Sequence, residues 1–203
     1  VYESALVPIK DSLVSKFPCI TSIVNNITSR RSGVSMGEHQ VVLHGNEYML
    51  EKLGEYTFMI SADSFFQTNT LQTEKLYNIV LEESKLTGKE IVYDLFCGTG
   101  SISLYVSKYA KMVYGFELIM SAVQDAMQNA VNNKVKNAWF FAGNLENLFR
   151  KNPEAKDLDL PDVVIVDPPR AGLHKKTIED ILEKSPKRIV YVSCNPATQA
   201  RDV

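Results

Sequence analysis

The sequence predicts an α/β protein: a doubly wound parallel sheet preceded by a small antiparallel β region. Three observations carry that expectation. Five β-prone stretches, 91–97, 112–117, 138–142, 162–167 and 188–194, alternate with helical stretches at about 101–110, 121–133, 144–151 and 174–184, and such alternation implies parallel strands joined by right-handed crossovers. The first stretch runs into Cys97-Gly98-Thr99-Gly100 before a helical pattern begins. A glycine turn between a buried strand and a helix is where such sheets hold nucleotide-like ligands. Ahead of residue 60, the short runs at 20–24, 41–43, 48–50 and 56–60 are punctuated by Gly33, Gly37, Gly45-Asn46 and Gly54, the pattern of a hairpin or meander.

Two further helices are expected before the sheet. Leu6, Ile9, Leu13 and Phe17 fall at helical spacing, closed by Pro18, which predicts an amphipathic helix over about 4–17. Thr68 or Asn69 can cap a second helix running to about Leu86, with Leu76, Ile79, Val80 and the stem of Lys75 near one face and Gly88 as the stop. The chain divides into residues 1–62, a helix plus antiparallel β unit, and residues 63–203, the main α/β domain.

Composition narrows the class. The 203 residues are 45% hydrophobic and 23% charged, ordinary for a globular protein of one domain and a small extra piece. No apolar run approaches the roughly 20 residues of a membrane helix, and Val1-Tyr2-Glu3-Ser4 lacks the features of a signal peptide. Cys19, Cys97 and Cys194 are scattered and form no metal spacing, so a reducing, cytoplasmic setting and no metal site are expected. A net charge of −2 leaves nucleic-acid binding to a local basic face. Arg30-Arg31 reads as a solvated turn, with phosphate contact as the alternative. The ending Arg201-Asp202-Val203 falls inside what reads as a new helix, so a fragment is expected.

Chemistry is expected beyond the carboxyl ends of the strands. The second strand ends in Glu117, about 20 residues after the glycine turn, where a carboxylate can accept hydrogen bonds from a ribose diol. That suits a nicotinamide cofactor or S-adenosylmethionine. Ser103 stands where a third glycine would complete the dinucleotide fingerprint, which favours the phosphate-free ligand. Asn144, after the third strand, can meet an adenine edge or cap the following helix. The fourth strand delivers Asp167-Pro168-Pro169-Arg170 into the same crevice, and the prolines stiffen its exit. The fifth ends in Ser193-Cys194-Asn195-Pro196. Asn195 can cap a helix with Pro196 in its first turn, placing the Cys194 thiol near a helix amino end that favours thiolate. Cys19 and Cys97 read as buried and inert. A thiolate beside a methyl donor fits addition to carbon 6 of a pyrimidine, which makes carbon 5 nucleophilic toward a sulfonium methyl.

These segments closely resemble one family. Asp94-Leu-Phe-Cys-Gly-Thr-Gly100, Asp167-Pro-Pro-Arg-Ala-Gly172, Ser193-Cys-Asn-Pro-Ala-Thr198 with Arg201-Asp202, and Phe65-Phe-Gln-Thr-Asn69 resemble, in order, motifs of the RNA uracil-5 methyltransferases, which make 5-methyluridine in tRNA or 23S rRNA from S-adenosylmethionine. The resemblance covers roughly residues 20–203 and implies a Rossmann-like class I methyltransferase fold, truncated at its carboxyl end. It implies Cys194 as the nucleophile and Gln67, Phe96, Glu117, Asp167, Ser101 and Asn144 as cofactor-binding residues, with RNA as the partner. The family's general base lies in a His-x-Glu segment that this chain does not contain, and its RNA-binding barrel and four-cysteine motif are also missing. Weak cofactor binding and poor turnover by this chain alone are therefore expected. Two other readings stay open: an RNA 5-methylcytidine enzyme, although such enzymes place Pro-Cys where this chain has Asp167-Pro168, and a non-catalytic RNA-binding module using Arg170, Lys175, Lys176, Lys187 and Arg188.

Overall fold

The computed structural model describes residues 3–27, 39–145, 155 and 157–203. Arg30-Arg31 and most of the helix expected over 144–151 lie outside the described residues. Five parallel strands form the main sheet: β5 (Ile91–Leu95), β6 (Met112–Glu117), β7 (Ala138–Ala142), β8 (Val163–Val166) and β9 (Arg188–Tyr191). Their order is β7-β6-β5-β8-β9. The chain therefore winds outward from β5 in one direction, then returns to its other side with β8. The crevice at this reversal is where doubly wound sheets place ligands. Leu95 pairs with Phe116 on one side and Val166 on the other, and Val166 pairs with Tyr191, so the carboxyl ends share one edge.

Alternation along each strand builds two cores, because successive side chains point to opposite faces. Val92, Val113, Val163 and Ile165 face a cluster with Tyr77, Ile102, Val123 and Ala126. Ile91, Tyr93, Leu95, Phe116, Val164 and Val166 face a second cluster with Leu173 and Ile181. The helices supplying these residues are α2 (Thr70–Ser84), α3 (Ser101–Ser107), α4 (Met120–Asn132) and α5 (Lys175–Lys184), followed by the short α6 (Pro196–Asp202). Every residue of β5 and β8 is buried, as expected of strands covered on both faces.

The preceding region is two separate antiparallel pairs rather than one meander. β1 (Ser22–Ile27) pairs with β2 (His39–Gly45), and β3 (Tyr48–Leu53) pairs with β4 (Tyr56–Ser61). The β3–β4 turn has two residues, Gly54 and Glu55, and Gly54 takes φ +59°, a conformation open to glycine at little cost. Leu53, Phe58 and Ile60 join the first core cluster of the main sheet. The edge of β4 is finished by side chains of α4 and of its C-cap, Asn133. Asn133 exchanges two hydrogen bonds with the Thr57 backbone (2.9 and 2.8 Å), Asn129 two with Met59 (2.6 and 3.0 Å), and Asp125 accepts from the Ser61 N–H at 2.9 Å. Four residues of helix rise about 6 Å and two residues of strand about 6.6 Å, so this ladder stays in step over three rungs.

Several local expectations change. β5 stops at Leu95 and β9 at Tyr191, earlier than the apolar runs suggest, because Phe96 already takes φ +65° and the chain after Tyr191 turns toward α6. Asn69, not Thr68, caps α2 by accepting from the Gln72 N–H. The buried face of α2 is Thr73, Tyr77, Val80 and Ser84, while Ile79 is 56% exposed; Tyr77, not Ile79, points at the sheet. α1 (Glu3–Lys16) forms, but Ile9, Leu13 and Phe17 stay exposed. Cys19 is also exposed, on the turn after α1, so it is not a core residue. No helix among the described residues is long and apolar enough to cross a membrane.

Candidate active site

The glycine turn is shaped by both neighbouring strands. The N–H groups of Phe96 and Cys97 both donate to the Phe116 carbonyl (2.9 and 3.1 Å). This holds Phe96 in the left-handed region that side chains seldom adopt and that clusters at functional sites. The two glycines serve different ends. A Cβ at Gly100 (φ +78°) would lie 2.9 Å from the Phe140 ring and 3.0 Å from Ala126, so that glycine lets α3 pack on the sheet. A Cβ at Gly98 would meet only the Phe65 carbonyl at 3.5 Å. The space over Gly98 is thus open to an approaching ligand.

Glu117 is tied into the turn from the end of β6. One carboxylate oxygen accepts from the Gly98 N–H at 3.1 Å; the other accepts from the N–H groups of Leu118 and Ile119 (2.7 and 3.0 Å). Three backbone donors orient the group while its oxygens keep acceptor capacity. Across the crevice, Asp167 follows β8 and accepts from the Gln67 amide at 3.0 Å. Burial pushes the Asp167 carboxyl above its ordinary value, and the Gln67 hydrogen bond opposes that rise.

A narrow cleft brings together Gln67, Phe96, Ser101 and Asp167, with Phe65, Phe66, Tyr77 and Gly98 as further walls. Ser101 shares a 2.7 Å hydrogen bond with the Tyr77 hydroxyl, so its own hydroxyl is already engaged. The enclosed space is only about 20 Å³, room for one water. A nucleoside-sized ligand needs more room than this cleft offers, and the open approach next to it is over Gly98, beside Glu117. Asn144 is exposed beyond β7, one residue past Gly143, whose N–H donates to the Glu117 carbonyl at 2.9 Å. Cys194 is exposed between β9 and α6; neither it nor Asn144 walls the cleft.

These features have close relatives. A family model described as tRNA (uracil-5-)-methyltransferase matches residues 33–203, the greater part of the chain. The chain belongs to that family. A Staphylococcus aureus protein named as an uncharacterized RNA methyltransferase is 46% identical over 199 residues, 96% of this chain and 44% of its own length. A Chlorobaculum tepidum protein with the same description is 42% identical over 203 residues, 99% of this chain and 42% of its own. Among solved structures, the Pyrococcus abyssi tRNA (uracil-54, C5)-methyltransferase in complex with S-adenosyl-L-homocysteine superposes with a TM-score of 0.72 at 34% identity, over 93% of this chain and 45% of that one. The chain thus spans less than half the length of the relatives it matches.

Three residues that shape this candidate site in the uracil-5 methyltransferase family member escape a reading of the sequence. Asp94 is fully buried under the glycine turn and accepts from the Ser103 hydroxyl at 2.6 Å. Burial raises its carboxyl to about 7, against the pull of Ser103 and with the Asp167 charge adding to the rise. Its other oxygen has no hydrogen-bond partner. An acid as the first residue of the quoted Asp94–Gly100 segment was the available signal. Tyr77, whose phenol burial holds well above its ordinary value, was marked only by helical spacing. Asn129 had no sequence signal.

Proposed function

We propose that the protein methylates carbon 5 of a uridine in tRNA or 23S rRNA, using S-adenosylmethionine and a covalent adduct at Cys194. The observation that carries the reading is the gathering, on one edge of the sheet, of an open glycine turn, an oriented carboxylate, a half-buried acid and an exposed thiol at consecutive strand ends.

The residues fit this methyl donor. Gly98 offers close backbone approach, Glu117 would accept from the ribose hydroxyls, and Asp167 with Gln67 would hold the amino-acid moiety or the methyl-donor region. Phe96 and Ser101 belong to the wall, and Asn144 would meet the adenine edge. When bound, S-adenosylmethionine supplies an electrophilic methyl on a sulfonium. Cys194 supplies what a uracil lacks: its thiolate adds to carbon 6, and the electron pair moves to carbon 5, which takes the methyl. A base then removes the carbon-5 proton, and elimination returns the thiolate. None of this chain's residues is assigned as that base. Residues 63–203 form the catalytic unit in this reading and residues 1–62 lead into it, with β3–β4 packed against its core. The protein acts in the cytoplasm, where RNA and reduced thiols coexist.

The test is mass spectrometry of the full-length protein incubated with S-adenosylmethionine and RNA carrying 5-fluorouridine. Fluorine at carbon 5 blocks proton removal and traps the adduct. The expected result is a methylated RNA peptide at Cys194, lost in Cys194→Ala. An adduct that persists in the alanine variant removes Cys194 from its role, and trapping by 5-fluorocytidine RNA alone would instead favour a cytosine enzyme.

A further inference from the structure

The loop after β8 and the loop carrying Cys194 are bolted together by the far end of α6. Asp202, the last residue of that helix, has a side chain only 1% exposed. One of its oxygens accepts from the Leu173 N–H and the Tyr191 hydroxyl, both at 2.7 Å. The other accepts from the Arg201 guanidinium at 2.8 and 2.6 Å. Arg201 also donates to the Ala171 carbonyl at 2.9 Å. Closer to Cys194, the Asn195 amide and the Thr198 hydroxyl both donate to the Arg170 carbonyl (3.2 and 3.3 Å). Contacts thus reach every residue from Arg170 to Leu173, because Gly172 sits against the clamp itself. Gly172 has φ +78°, and a Cβ there would lie 2.5 Å from an Asp202 oxygen and 2.7 Å from an Arg201 nitrogen.

The strand partners explain what this clamp can do. Tyr191 ends β9, two residues before Ser193, and Leu173 closes the loop that begins at Asp167. Asp202 holds both at once, on a single carboxylate. The Ser193 hydroxyl and the Asn195 backbone then stiffen the short path from Tyr191 to the thiol, with bonds of 2.9 and 3.0 Å. Nucleophilic addition and methyl transfer act on adjacent carbons of one ring. The separation between the Cys194 sulfur and the donor held near Asp167 must therefore be kept to a fraction of an ångström.

We propose that Asp202 is a positioning residue for Cys194: with Arg201 and the side-chain-free Gly172, it sets the nucleophile's loop against the Pro168–Leu173 loop. This rests on Cys194 being the nucleophile. Asp202 touches neither substrate nor cofactor. Its loss is felt at the thiol more than at the donor: Gly98 and Glu117 lie across the crevice, and Asp167, where the clamped loop begins, is held by Gln67 rather than by the clamp.

The experiment uses the full-length protein with three variants: Asp202→Asn, Gly172→Ala and their double. The rate of adduct formation at Cys194 with 5-fluorouridine RNA, the affinity for S-adenosylhomocysteine and the melting temperature are read for each. Each single variant is expected to slow adduct formation at saturating RNA by roughly tenfold or more while S-adenosylhomocysteine affinity stays within about twofold, and the double variant is expected to be no slower than the poorer single, since both break one clamp. Tyr191→Phe removes one donor, keeps the ring packing, and covers the case in which the others fail to fold; a several-fold slowing is expected, smaller than that of Asp202→Asn. Adduct rates equal to wild type overturn the proposal, as does a loss that runs in parallel with cofactor affinity and melting temperature. Absence of any Cys194 adduct in the wild-type protein overturns the nucleophile assignment itself, a result separable from normal adducts in all variants.

Discussion

The Asn129 amide donates at 3.1 Å to the carbonyl of Thr99, inside the glycine turn, while the same side chain exchanges two hydrogen bonds with Met59 of β4. One fully buried side chain on α4 therefore fastens the antiparallel hairpin to the loop expected to carry the methyl donor. A hairpin more than 30 residues earlier in the chain becomes part of the turn's foundation.

Asn129→Leu is expected to destabilise the fold by about 2–4 kcal/mol, because it leaves the Met59 N–H, the Met59 carbonyl and the Thr99 carbonyl short of partners in a buried site. Urea unfolding measures this as a lower midpoint with an unchanged slope. A loss under about 0.5 kcal/mol, the ordinary range of a surface substitution, would show that water takes over the three bonds.

The two glycines of the turn are expected to separate stability from binding. Gly100→Ala drives a methyl group into the Phe140 ring and should cost about 1–3 kcal/mol by overpacking, on top of the left-handed backbone. Gly98→Ala meets little protein and should cost about 1 kcal/mol from its backbone conformation alone, yet it fills the open approach beside Glu117. Calorimetry with S-adenosylhomocysteine, together with melting curves, checks the pair: Gly98→Ala should lose the greater part of its affinity with the smaller change in melting temperature. The reverse ranking would move the ligand away from Gly98.

Asp94 makes stability depend on pH in a definite direction. Its carboxyl is raised from 3.8 to about 7 in the folded protein, so between about pH 4 and pH 7 the folded state holds a proton that the unfolded chain has released. Stability therefore rises as pH falls through that window, and ionisation above it costs about 4 kcal/mol for a rise of this size. Asp162 acts with the opposite sign, because Lys187 and the Ile91 N–H hold its carboxyl low, but its contribution is lost only below its ordinary value of 3.8. Urea unfolding at pH 5 and pH 7.5 should show the wild type more stable at pH 5. Asp94→Asn should remove most of that difference. An unchanged difference in Asp94→Asn would assign the slope to another group.

Much of this architecture was legible in the chain. The β–α alternation, the glycine turn, Glu117 after β6 and Asp167 after β8 all follow from local periodicity and from residue types whose backbone preferences are strong, and the sheet assembles as those patterns predict. Other features depend on which atoms meet across long sequence separations. Asn129 reads as an ordinary helix residue until β4 presents a strand edge in step with its turn of α4. Asp94 looks like any acid at a strand end, and only its complete burial in the folded protein raises its carboxyl to about 7. Ile79 and Tyr77 differ by two positions on α2, and the direction from which the sheet approaches decides which is buried. The sequence by itself determined the strands, the helices between them and which residues stand at each strand end, since those are local. The tertiary structure decided that the hairpin braces the glycine turn and that Asp202 spans Tyr191 and Leu173, because hydrogen bonds between distant segments exist only once packing brings their atoms within about 3 Å.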